Sequence, residues 1–227
     1  MMKLQLVIAE RECSLYEEKE AAFLLLQPVD DHDLEGMDSE VETLRGLTSK
    51  PFSLLTVKVG SWEQDLTPWN APAVFGKVPF GDGASETLRF YLEQLLPALT
   101  AQGIYRPAEM RPLLGGYSLA GLFALWAGYQ TEVFCGIAAV SPSVWYKDWT
   151  DYATANVPQT KAVYLSLGDK EEKARNQVMA SVGNAIRRQD ALLAEQGISH
   201  TLEWNAGNHF VEADLRMAKG FCWLMNQ

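Results

Sequence analysis

A chain of 227 residues, 48% hydrophobic and 21% charged, has the length and balance of one domain that encloses a sizeable core. Its formal net charge of −10 excludes nucleic acid and anionic membrane as partners, because a phosphate-rich surface would repel it. Cys13, Cys135 and Cys222 are too few and too scattered for a disulfide framework or a zinc site. No run reaches the roughly 20 apolar residues of a membrane helix. The start, MMKLQLVIAERECS, lacks the pattern of a signal peptide, so a cytoplasmic location is expected.

In chain order, apolar runs predict strands at Lys3–Ile8 and Ala22–Val29, a helix over about Leu34–Leu47, and a strand at Phe52–Val59. The Gly- and Pro-rich stretch Val59–Gly83 has no regular period. Leu88, Tyr91, Leu92, Leu95 and Leu99 then recur at helical spacing and predict a helix over Ala84–Ala101. A strand at Arg111–Gly115, a helix at Leu119–Gly128 and strands at Phe134–Val140 and Lys161–Leu167 follow. A charged helix over Glu171–Glu195 stops before Gly197, ahead of a strand at His200–Trp204 and a helix at Phe210–Met225. Strands alternating with helices predict an α/β fold, a mostly parallel central sheet with helices on both faces. No repeat or linker interrupts it, so residues 1–227 are expected to form a single domain.

The segment "RPLLGGYSLAGLFALW" places Ser118 in the most apolar, glycine-rich part of the chain, between a predicted strand and a predicted helix. A nucleophile elbow needs that context. The sharp turn projects the serine Oγ above the sheet edge, small neighbours let strand and helix approach, and the Leu119 N–H points where an oxyanion would form. The usual pattern has glycine two residues after the serine; Ala120 stands there and Gly121 follows. A serine N-cap on a core helix would also account for this stretch alone.

A serine nucleophile needs a base, and histidine suits that work near neutral pH. His32 sits among carboxylates in "VDDHDLEG" and reads as a solvated loop residue; His200 opens a strand and reads as a strand-edge or half-buried histidine. His209, in "NAGNHFVEA", follows the last strand and precedes the last helix, where α/β sheets carry their chemistry. An acid should orient it and should lie between serine and histidine after a strand. "VYLSLGDKEEKARN" offers Asp169, Glu171 and Glu172, which a charged helix start would favour in any case.

These residues carry a family resemblance. "QDLTPWNAP", "GDGASETLRFYLEQLLPAL", "GGYSLAGLFALW", "AAVSPSVWY" and "GNHFVEADLRMAKGFCWL" resemble successive blocks of the putative-esterase group of α/β-hydrolases, from about Phe23 onward. That group includes siderophore trilactone esterases, S-formylglutathione hydrolases and mycolyltransferases. The resemblance implies an α/β-hydrolase fold and a second oxyanion donor just after "FLLLQPVDD". Pro28 has no N–H, which leaves Val29 or Asp30, and Val29 is preferred because Asp30 adds an unhelpful carboxylate. In this superfamily the acid often lies three residues past the glycine that ends its strand; from Gly168 that is Glu171. Asp169 is then expected to cap the helix, and Glu172 to point about 100° away around it. Trp62-Glu63 stands where many members carry an arginine.

Ser141 and Ser143 read as turn formers. Trp62, Trp69, Trp145 and Trp149 lie in predicted loops at the active edge, and Trp62, Trp69 and Trp145 are the candidates to line a substrate pocket. The expectation is a serine esterase acting through Ser118, His209 and Glu171 on a small-molecule ester, with no metal or cofactor. Short or aromatic acyl esters should be preferred over polyanionic ones. An acyltransferase with the same residues and a non-catalytic ligand-binding module on this fold are the alternatives.

Overall fold

The apolar runs pair as one eight-stranded sheet in the computed structural model, which describes every residue from Met1 to Gln227. The strands are β1 (Met2–Ile8), β2 (Arg11–Glu17), β3 (Phe23–Val29), β4 (Phe52–Lys58), β5 (Arg111–Tyr117), β6 (Gly136–Val140), β7 (Ala162–Gly168) and β8 (Ser199–Asn205). Their spatial order is β1-β2-β4-β3-β5-β6-β7-β8. β2 pairs antiparallel with β1 and with β4, and every pairing from β4 to β8 is parallel. Strands buried on both faces, such as β3 (FLLLQPV) and β7 (AVYLSLG), read as continuous apolar runs for that reason.

The helices are α1 (Asp31–Leu47), α2 (Trp62–Asp65), α3 (Ala84–Phe90), α4 (Leu96–Ala101), α5 (Leu119–Gln130), α6 (Trp149–Ala155), α7 (Gln177–Ala180), α8 (Val182–Glu195) and α9 (Ala213–Met225). α1 and α9 cover one face of the sheet, where Met37, Val41, Leu44, Met217, Phe221 and Leu224 bury against the strands. On the other face α3, α4, α5, α6 and α8 pack around Tyr91, Phe123, Trp149 and Ile186. α5 is buried from Leu119 through Tyr129, so its sequence is apolar all round rather than striped.

The structure adds two short helices where no regular element was expected, α2 and α6, so Trp62 and Trp149 lie in helices rather than loops, and three further elements depart from the sequence expectation. β2 is absent from it because the turn that creates the β1–β2 hairpin uses Ala9 and Glu10 at φ 46° and 68°, a conformation normally signalled by Asn or Gly. The helix expected over Glu171–Glu195 breaks into a short 3₁₀ turn at Glu171–Lys173, then α7 and α8. Asn176 causes one break by accepting the Val178 and Met179 N–H groups as an N-cap. The helix expected over Ala84–Ala101 widens to a π turn at Tyr91–Leu95, next to Pro97, which has no N–H to offer a regular turn.

The parallel strands all end on one edge. Asp30 follows β3, Ser118 follows β5, Glu171 follows β7 and His209 follows β8. That edge is where open α/β sheets bind ligands.

Candidate active site

Ser118 stands between β5 and α5 at φ 58°, ψ −120°, a strained conformation for a residue with a side chain. The backbone around it fixes that turn. The Ser118 N–H donates to the Val140 carbonyl at 3.1 Å, and the Ser118 carbonyl accepts the Leu122 and Ser143 N–H groups, each at 3.0 Å. Gly116 is required: a Cβ there would lie 2.3 Å from the Ala120 carbonyl oxygen and 2.8 Å from the Ala120 Cβ. The methyl of Ala120, at the usual glycine position, is tolerated because Gly116 opposite it has none. Leu119 is the first residue of α5, so its N–H belongs to the turn that has no intrahelical acceptor.

His209 lies in the loop between β8 and α9. Its Nδ1 and Glu171 Oε2 are 2.7 Å apart, and its side chain is 26% exposed while that of Glu171 is 5% exposed. The other carboxylate oxygen, Oε1, accepts the Gly168 N–H at 2.7 Å, the Ser141 hydroxyl at 2.8 Å and Arg216 Nη1 at 3.2 Å. Burial pushes the Glu171 pKa up, but the hydrogen bond and charge of His209, with the Gly168 N–H and Ser141, outweigh it. The carboxyl is held below the usual carboxylate range. Gly168 lets β7 approach the histidine loop, since a Cβ there would sit 2.4 Å from the Gly207 carbonyl oxygen.

Asp169 does not cap a helix. Its Oδ1 accepts the Gly207 N–H at 2.8 Å, so it ties the end of β7 to the histidine loop. The sequence expectation failed there because the adjoining 3₁₀ turn begins at Glu171, with Lys170 rather than Asp169 in the N-cap position and no side-chain cap. Glu172 points elsewhere, to Arg187 Nη1 at 2.9 Å.

Four further residues shape the site. Tyr117, one before the nucleophile candidate, donates its hydroxyl to the His209 carbonyl at 2.7 Å. Arg216, only 1% exposed, gives Nη1 to the Tyr117 hydroxyl, Ser141 and Glu171, and Nη2 to the Ala206 and Asn208 carbonyls. Ser141, at φ 41°, is thus a donor to the acid as well as a turn former. Phe210 is 86% exposed beside His209. One signal for Arg216 was legible: it adjoins Met217 on the stripe that continues through Gly220, Phe221 and Leu224, where a cation has to be paired.

A cavity of about 190 Å³ is lined by Ser118, His209, Trp62, Phe210, Asp30 and Asp33, among others. Ser118 and His209 therefore share one space, and Trp62 borders it. Trp69 and Trp145 do not line it. Trp69 stacks on Trp149 (centroids 6.4 Å apart, planes at 17°), and Trp145 packs edge-on to Phe75 at 6.2 Å. Val29 does not line it either: fully buried at the end of β3, it pairs with Lys58 in the sheet and accepts the Val59 N–H through its carbonyl. Asp30 is the residue of that turn at the cavity. It and Asp33 form a capping box on α1, in which Asp30 Oδ1 accepts the Asp33 N–H at 2.8 Å and Asp33 Oδ2 accepts the Asp30 N–H at 3.3 Å. Burial, and then the charge of Asp30, push the Asp33 carboxyl up to about 6.

His32 occupies the first turn of α1 rather than a loop, with its side chain 87% exposed. His200, on the edge strand β8, places Nδ1 2.7 Å from the Ile198 carbonyl and Nε2 3.5 Å from Asp190. Neither is near Glu171 or Ser118 in hydrogen-bonding terms. Beyond His209 lies a second cavity of about 450 Å³ bordered by Lys170, Lys173 and Arg175. On the side of α1 lies a third, of about 390 Å³, bordered by carboxylates.

A parallel sheet carrying a strained serine after its central strand, an acid after β7 and a histidine after β8 defines the α/β-hydrolase fold. Within it the chain belongs to the putative esterase family, whose model matches residues 36–213, and it is a carboxylic ester hydrolase. No curated protein matches it in sequence. Its fold is similar to that of an IroE-like serine hydrolase from Shewanella oneidensis (TM-score 0.81, 14% identity, 99% of this chain and 80% of that one). It is also similar to the siderophore hydrolase EstA from Aspergillus nidulans (0.72, 17%, 99% and 94%). A third likeness is to the enterobactin esterase FES from Shigella flexneri (0.68, 15%, 99% and 59%).

Proposed function

We propose that the protein is a serine esterase in which Ser118 is the nucleophile, His209 the general base and Glu171 the acid that orients it. The observation that carries this reading is the 2.7 Å contact between His209 Nδ1 and a buried Glu171 carboxylate, with His209 and the strained Ser118 bordering one cavity. A carboxylate on Nδ1 fixes the tautomer that leaves Nε2 free to accept the serine proton. Ser118 Oγ attacks the ester carbonyl as His209 takes its proton. The tetrahedral intermediate places its negative oxygen near the Leu119 N–H, with a second donor from the β3–α1 turn. His209 returns the proton to the leaving alcohol, giving an acyl-enzyme. Water, deprotonated by the same histidine, then releases the acid and restores Ser118.

Partial exposure of His209 gives water access to the acyl-enzyme, which favours hydrolysis over transfer to another acceptor. The substrate is a small-molecule ester whose acyl group is short or aromatic; a cavity of about 190 Å³ flanked by Trp62 and Phe210 supports that size and character. The neighbours described as siderophore hydrolases act on esters of small molecules, which agrees with this class. The protein works as one domain in a reducing cytoplasm; the continuous sheet supports the first and three free cysteines the second.

Labelling with a serine-reactive fluorophosphonate followed by mapping of the modified peptide tests the reading. Adduct on Ser118 that disappears in His209→Ala is the expected result. Hydrolysis of a p-nitrophenyl ester with no adduct on Ser118 would overturn it.

A further inference from the structure

Two strand ends hold the histidine loop, residues 206–212, and each ties to it differently. The β7 side holds it at Gly207, whose N–H donates to Asp169 Oδ1 at 2.8 Å and whose carbonyl accepts the Lys170 N–H at 3.1 Å. Those bonds join the loop to the strand that Glu171 follows. The β5 end, which leads into Ser118, makes one hydrogen bond to the loop: the Tyr117 hydroxyl donates to the carbonyl of His209 itself at 2.7 Å. No other hydrogen bond reaches that carbonyl.

The surroundings of Tyr117 fix the direction of that bond. The side chain is nearly buried, 9% exposed, and its ring lies beside the His209 imidazole with centroids 5.1 Å apart and planes at 54°. The hydroxyl also accepts Arg216 Nη1 at 3.1 Å. A guanidinium only donates and a carbonyl only accepts, so a hydroxyl is the group that can join them. Arg216 occupies a lone pair and leaves the phenol proton for His209. Burial holds the phenol above its usual range, against the Ser141 hydroxyl and the charge of Arg216, so the donor keeps its proton.

We propose that Tyr117 is a positioning residue that sets the distance between His209 and Ser118. It rests on the serine-esterase reading, and adds to it the part that aligns the base with the nucleophile. Glu171 holds the imidazole at Nδ1, which fixes the tautomer but leaves the ring able to swing about that contact. Tyr117 removes this freedom on the nucleophile's side, because it adjoins Ser118 in the chain and grips the histidine's backbone. Proton transfer from Oγ to Nε2 needs a separation of roughly 2.6–3.2 Å. A displacement of about 1 Å can cost about 100-fold in rate.

Tyr117→Phe tests this, because it removes the hydroxyl and keeps the ring. On a p-nitrophenyl ester, kcat should fall by about 10- to 100-fold while KM stays within about twofold of wild type. The first-order rate at which saturating fluorophosphonate labels Ser118 should fall by a like factor, and that rate does not depend on how much of the protein is folded. In a His209→Ala background, Tyr117→Phe should change the residual rate by less than about twofold, since a residue that acts through His209 then has nothing to position.

A wild-type kcat in Tyr117→Phe beside an inactive His209→Ala would overturn the positioning role and leave the esterase reading intact. An equal fold loss in both backgrounds, or a loss confined to KM, would overturn it as well, because the hydroxyl would then serve the fold or the substrate. Wild-type turnover by His209→Ala would overturn both.

Discussion

Arg216 and His209 hold opposite oxygens of the Glu171 carboxylate, Arg216 Nη1 on Oε1 at 3.2 Å and His209 Nδ1 on Oε2 at 2.7 Å. The carboxylate is thus clamped between a permanent cation and the His209 imidazole. Because the guanidinium is planar, the same side chain also reaches the Tyr117 hydroxyl and the carbonyls of Ala206 and Asn208. A lysine could not bridge these groups. Arg216→Met should therefore destabilise the protein by about 3–5 kcal/mol, the cost of breaking a buried pair from one side. Arg216→Lys should recover only part of it. Urea unfolding followed by fluorescence measures both; midpoints at the wild-type value would contradict the clamp.

Glu171→Gln should reduce ester turnover by about 10⁴-fold, because an amide in place of the carboxylate favours the wrong imidazole tautomer. Asp169→Asn keeps an oxygen for the Gly207 N–H and should leave turnover within a few-fold of wild type. Asp169→Ala removes that acceptor and should cost about 1–2 kcal/mol of stability. Steady-state kinetics on one chromogenic ester decides the assignment, and an inactive Asp169→Asn beside an active Glu171→Gln would reverse it.

Ser118→Ala should lower kcat by about 10⁶-fold with the fold retained. Ser118→Gly should be equally inactive but more stable than Ser118→Ala by about 1 kcal/mol, since glycine adopts φ 58° without the steric penalty of a Cβ. Thermal unfolding of the two variants gives the comparison. Equal melting temperatures would mean that the elbow stores no backbone strain.

Two buried carboxyls give stability opposite slopes with pH. Glu40 is pushed up to about 8, chiefly by burial, against its Gln27 hydrogen bond and with like charge from Asp33 and Asp214. Its folded pKa exceeds the ordinary value of 4.5, so the native state binds more protons between the two. Stability from this group is complete below about 4.5 and is lost as pH rises through about 8, by about 3–5 kcal/mol. Glu171 is the reverse case: its contribution is present above 4.5 and lost as pH falls through its lower folded value. Urea midpoints of the wild type should fall between about pH 5 and about pH 8, and Glu40→Gln should flatten that limb. An unchanged slope in Glu40→Gln would place the titration elsewhere.

The parallel half of the sheet was legible because its strands are apolar on both faces and end in recognisable turns. Ser118 and His209 could be read for the same reason: each lies where a strand passes into a helix, which chain order alone reveals. Glu171 needed more, since Asp169 and Glu172 stand beside it, and only the path of the chain after Gly168 separates them. β2 was not legible, because a turn built on Ala9 and Glu10 carries no local signal. The aromatic loops misled for a related reason. Trp69 is drawn into the cluster with Tyr146, Trp149 and Tyr152, an attraction between residues far apart in sequence. Val29 and Asp30 differ by one position, and burial at a strand end is not a property that one sequence displays.

The clamp on Glu171 also has a history within each molecule. Tyr117 and Ser118 are synthesised 99 residues or nearly so before Arg216, the residue that ties Tyr117 and Glu171 into one network. At ordinary elongation rates that interval lasts roughly 5–20 s. During it the emerging chain carries a serine, but neither α9 nor the histidine loop exists to arm it. On the triad reading proposed above, translation order alone leaves Ser118 without its base and its acid's clamp until the last part of the chain has been made.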